Sequence, residues 1–96
     1  MVKGTTKSGI AFELDERIKD DARLTYLLVK IQKTAESASL MDTGRAMNEL
    51  LDLIFGSDEN TFMFMNEVAD KHDGVCSTAV MLEELTEMLD ALNAKN

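Results

Sequence analysis

From Asp20 to Asn93 the chain keeps returning to one pattern, apolar residues three and four apart, and that period commits most of it to helices. Helix one is expected over about Asp20–Ala38, where Leu24, Leu27, Leu28, Ile31 and Ala35 make a single stripe. Asp20 and Asp21 suit the positive end of its dipole, and Lys30 and Lys33 the negative end. A second stripe, Ile18, Ala22, Tyr26 and Val29, falls roughly opposite the first. A helix apolar on two sides is either central in its domain or offers one side for docking. The simplest expectation is that an N-terminal hairpin covers the second stripe.

Helix two is expected over about Asp42–Phe55, with Asp42 as N-cap and Gly56 at the left-handed position that ends many helices. Ala46, Met47, Leu50, Leu51, Leu53 and Ile54 cover its wide apolar face, and Arg45, Asn48, Glu49 and Asp52 the other. Helix three begins at Ser57 or Asp58 and runs to about Lys71. Its Phe62, Phe64, Met65, Val68 and Ala69 share an apolar arc of about 160°. Met63 projects instead among Glu59, Asn66, Glu67 and Asp70, as an isolated surface methionine or as a partner contact. Asp73-Gly74 breaks the chain, and Ser77 caps helix four over about Thr78–Asn93. There Met81, Leu82, Leu85, Met88, Leu89 and Leu92 oppose Glu83, Glu87 and Asp90.

Ahead of the helices, Ile10, Phe12 and Leu14 alternate with Ala11 and Glu13, the period of a half-buried strand. Val2 to Lys7 can supply its partner, with Ser8-Gly9 at the turn. The expected fold is mainly α: a small N-terminal β-hairpin (residues 1–14) on a compact bundle of four helices (15–96). At 96 residues this makes one domain.

Charge narrows the function. Ten Lys and Arg against 18 Asp and Glu give a net −8. Residues 1–33 are net +2, and residues 34–96, with only Arg45, Lys71 and Lys95 as bases, are net −10. A body this acidic repels nucleic-acid phosphates and anionic membranes, so direct binding of either is not expected. It can still mimic DNA or attract a basic protein. No apolar run reaches the roughly 20 residues of a membrane span, and the opening Met1 to Lys7 lacks the apolar stretch of a secretion signal. A lone cysteine gives no internal disulfide, and a cytosolic domain is the default.

Chemistry is sparse. His72 and Cys76 are four apart, but the Asp73-Gly74 turn between them breaks the helical geometry that would pair them. They are expected to be a solvated loop histidine and a small, partly buried thiol. If Gly74 anchored a calcium loop, Ala69, Lys71 and Val80 would occupy ligand positions, and all three are wrong. Zinc lacks enough Cys and His, phosphate loops have no glycine-rich run, and the Asp-Ser-Leu of acyl carriers is replaced by Ala38-Ser39-Leu40. No catalytic, cofactor or metal residues are assigned. What remains is a small acidic helical protein-binding module, whose candidate contacts are Tyr26, Val29 and Met63.

The order of motifs adds to this. Lys7-Ser8-Gly9 is followed by Phe12-Glu13-Leu14-Asp15-Glu16 and Asp20-Asp21, then Leu51-Asp52-Leu53-Ile54-Phe55-Gly56, and then Asp73-Gly74-Val75-Cys76-Ser77 before a last acidic helix. Over nearly its whole length the chain resembles small tail assembly chaperones of long-tailed phages (siphoviruses) and prophages of Gram-positive bacteria. The resemblance implies a non-enzymatic protein without cofactors that binds the tape measure protein and brings tail tube subunits to it. It implies action in the host cytoplasm, absence from the finished virion, and often a longer form made by ribosomal frameshifting. The alternative from composition is an acidic regulatory module, a DNA mimic or inhibitor, acting on a basic partner.

Overall fold

The computed structural model describes residues 1–37 and 39–94. In chain order it has strands β1 (Val2–Thr5) and β2 (Ala11–Leu14), a 3-10 turn (Glu16–Asp20), and helices α1 (Ala22–Glu36), α2 (Leu40–Phe55), α3 (Asp58–Lys71) and α4 (Thr78–Asn93). The fold is mainly α, with four helices and one antiparallel two-stranded hairpin. Contacts divide it into two compact units, one of Met1–Glu16 with the chain from Phe62 onward, the other Arg17–Thr61.

The first unit holds the hairpin, most of α3, and α4. Its strands pair Val2 with Leu14, Gly4 with Phe12, and Thr5 with Ala11. Three residues, Lys7 to Gly9, close the turn: the Thr6 amide donates to the Ile10 carbonyl at 2.9 Å, and Gly9 takes a φ of 92° that its missing side chain permits. Alternation leaves Val2, Ile10, Phe12 and Leu14 on one buried face. The Phe12 ring lies over Gly4 so closely that a Cβ there would sit 2.6 Å from its Cζ. The helices contribute Phe64, Val68, Met81, Leu85, Met88 and Leu92 to the core of this unit. Ser77 accepts from the Val80 amide and starts α4 where its sequence indicates.

The second unit is the α1–α2 pair. Asp21 caps α1, its carboxylate accepting from the Arg23 amide at 2.9 Å and from the Arg23 guanidinium at 2.7 Å. Leu24, Leu27 and Ile31 of α1 and Ala46, Met47, Leu50, Leu51 and Ile54 of α2 are buried. At their shared end the Thr43 hydroxyl bonds that of Thr34 at 3.0 Å. Gly56, with φ 87°, ends α2 in the left-handed conformation.

Four expectations need correction. Helix two starts earlier: Ser39 takes the extended N-cap conformation, and Asp42 sits in the first turn accepting from the Ser39 hydroxyl at 2.8 Å. There its charge faces the positive helix end without capping it. Ala35 is exposed, one turn beyond the buried part of its stripe. Phe62 is 64% exposed, because Thr61, Phe64 and Val68 fix the buried side of α3 and Phe62 projects about 130° from their mean direction. The second stripe of α1 is not a buried face, since Ala22, Tyr26 and Val29 are all exposed. The expected end of helix one at Ala38 lies outside the described residues.

Candidate functional site

Two features stand apart from ordinary packing, one apolar and one polar. The apolar one is exposed surface. Tyr26 is 64% exposed, Val29 45% and Met63 57%. Tyr26 and Val29 lie one turn apart on α1, in the second unit, and with Thr25, Lys30 and Lys33 they line an open groove of about 380 Å³. The Lys30 ammonium stands 5.8 Å from the centre of the Tyr26 ring, within cation–π range. Met63 belongs to the first unit and lies beside Phe62 on the outer face of α3, among Glu59, Asn66 and Asp70. Leu40, Met41 and Val75 are exposed as well.

The polar feature lies inside the first unit. Glu84 is only 1% exposed, on the apolar side of α4 between Met81 and Met88. Its Oε1 accepts from the Ser8 hydroxyl at 2.6 Å and lies 3.3 Å from His72 Nε2. The same His72 nitrogen is 3.0 Å from Ser8 Oγ. His72 is a loop residue, as expected, but not a fully solvated one. It follows the last residue of α3 and is half-buried against Glu84. Burial pushes the Glu84 carboxyl up, yet hydrogen bonds from Ser8, Thr6 and His72, with the His72 charge, outweigh it and hold the group below its ordinary range. Oε2 is buried without a hydrogen-bond partner among the described residues.

Serine, histidine and glutamate invite comparison with a hydrolytic triad, but the connections run the wrong way. In a triad the histidine takes the serine proton while the carboxylate holds its far nitrogen. Here the Ser8 hydroxyl donates its hydrogen bond directly to Glu84, and both groups meet the same nitrogen of His72. The imidazole nitrogen that faces Ser8 is shared with Glu84 rather than backed by it, and the hydroxyl hydrogen is already directed at the carboxylate. Cys76, half-buried, has its thiol pushed up by burial and by the Glu84 charge, the opposite of what an activated nucleophile needs. Among the described residues no three His, Cys, Asp or Glu side chains converge as a metal site. The cluster's geometry ties the hairpin turn to α3 and α4.

Neither Glu84 nor Ser8 is singled out by sequence reasoning, yet a signal exists. Glu84 falls three after Met81 and four before Met88, a charge inside an apolar stripe. His72 falls four after Val68, in line with the buried side of the helix it follows. Two groups of potentially opposite charge on buried stripes are a pairing hint.

No helix among the described residues is long and apolar enough to cross a membrane. No protein-family model matches the chain, and neither curated proteins nor solved structures give a match.

Proposed function

We propose that this chain is a non-enzymatic tail assembly chaperone that binds the tape measure protein and helps recruit tail tube subunits to it. It works in the cytoplasm of the bacterial host and is absent from the mature virion. The observation that carries the reading is the exposed apolar surface, above all Tyr26 and Val29 on a helix whose opposite side is already buried. A long helical rod shows apolar faces before its tube encloses it, and exposed helix surface of this kind can cover them. The closed Ser8–His72–Glu84 arrangement supports a binding role over a catalytic one.

Co-expression with a fragment of a tape measure protein tests the reading. The fragment should stay soluble and co-elute with this chain, and equal aggregation with and without it overturns the proposal. The second reading, an acidic mimic or inhibitor on a basic partner, is favoured by the groove on α4 where Glu83, Glu87 and Asp90 outnumber the one base that lines it, Lys7. Competition with DNA for a basic protein, weakening steeply with salt, would mark that case.

A further inference from the structure

The net charge of −8 points to a basic partner, but the groove on α1 does not share that sign. Every charged side chain lining it is a lysine, Lys30 and Lys33, and its apolar floor is Tyr26 and Val29. We infer that this groove docks an acidic amphipathic helix of another protein, with apolar residues seated against Tyr26 and Val29 and carboxylates meeting Lys30 and Lys33.

Spacing carries the commitment to a helix. Tyr26, Val29, Lys30 and Lys33 follow at three, four and seven, a ridge that runs along α1 and is met by a partner with the same repeat. The lysine stems add apolar contact while their ammonium groups stay at the rim. Charge complementarity here is local. Over one Debye length, about 8 Å at physiological salt, a carboxylate pair on the partner sees these lysines rather than the acidic chain as a whole. A second copy of this chain carries acidic helix faces of its own, so dimerisation through this face is an outcome that counts against the inference. An anionic bilayer is disfavoured because two apolar side chains offer too little to bury in it.

The inference rests on the chaperone reading only for the identity of the partner, so the test separates them. Two helical peptides with one leucine stripe are compared, one flanked by glutamates and the other by lysines. The acidic peptide should shift α1 amide resonances saturably at millimolar concentration or below, and the basic one should bind at least about tenfold more weakly. Lys30→Glu with Lys33→Glu should reverse that preference, while Tyr26→Ala should weaken both peptides with the helical circular dichroism unchanged. Equal binding of the two peptides, no saturable shift at α1, dimerisation through this face instead, or binding to anionic vesicles overturns the inference. If the doubly reversed variant still holds the tape measure fragment as well as the native chain, the chaperone reading stands and this inference falls. If the acidic peptide binds α1 and no tape measure fragment binds, the reverse follows.

Discussion

Replacing Glu84 with glutamine keeps the shape of the side chain and removes its charge, which isolates what the buried carboxylate contributes. Ser8 donates to it at 2.6 Å, and His72 Nε2 lies at 3.3 Å. Hydrogen bonds to a charged group contribute about 1.5–3 kcal/mol and neutral ones about 0.5–1.5, so neutralisation loses about 1 kcal/mol at each of the Ser8 and His72 contacts, to which the Thr6 contact adds. The amide also points N–H donors where Oε2 has no partner, a further cost that relief from burying a charge largely offsets. The expected loss is at least about 2 kcal/mol near neutral pH. Its sign with pH follows from linkage. The folded carboxyl titrates below its unfolded value, so its contribution is complete above the ordinary glutamate range, about pH 4, and is lost as pH falls through the folded value. Urea unfolding followed by circular dichroism at pH 7 and near pH 3 measures both terms. The deficit of Glu84→Gln should shrink at the lower pH, and adding Ser8→Ala should cost less in Glu84→Gln than in the native chain. A variant as stable as the native chain at pH 7, or equally impaired at both values, would refute the argument that the carboxylate is bound as an anion.

Gly4→Ala should destabilise the hairpin by about 1–3 kcal/mol, because the buried Phe12 ring must move from a Cβ at 2.6 Å; thermal unfolding reads it as a midpoint several degrees lower. The Asp21 carboxyl, held down chiefly by the Arg23 side chain, should titrate by NMR at about 2, and Arg23→Gln should raise that value toward the ordinary aspartate range. Cys76 should react with iodoacetamide at pH 8 more slowly than in the urea-unfolded chain. Glu84→Gln should speed the folded-state reaction, since the carboxylate is the second cause, after burial, that raises the thiol.

Helices three and four were legible because local signals agreed with packing: Asp58 and Ser77 mark their starts, and the Asp73-Gly74 break between them carries two successive positive φ values. The hairpin was legible from alternation plus Ser8-Gly9. Local rules misplaced the start of α2, since Ser39 and Asp42 both satisfy N-cap chemistry and only the backbone at Ser39 decides between them. Phe62 shows the limit of projection. A wide arc of apolar residues does not say which of its edges meets a core, and the buried Thr61, an unremarkable threonine in the sequence, sets that edge by bonding Asp52 Oδ1 at 2.7 Å. The Ser8–His72–Glu84 cluster was hidden for another reason. Ser8 is 64 and 76 positions from its two partners, beyond the reach of any local period.

That separation bears on how the molecule is made. Residues 17–61 fold among their near neighbours and form a unit between the two stretches that build the other. On a ribosome the α1–α2 pair can close while the opening strands still lack α4. Val2, Phe12 and Leu14 of the hairpin then gain their cover only once α4 has emerged.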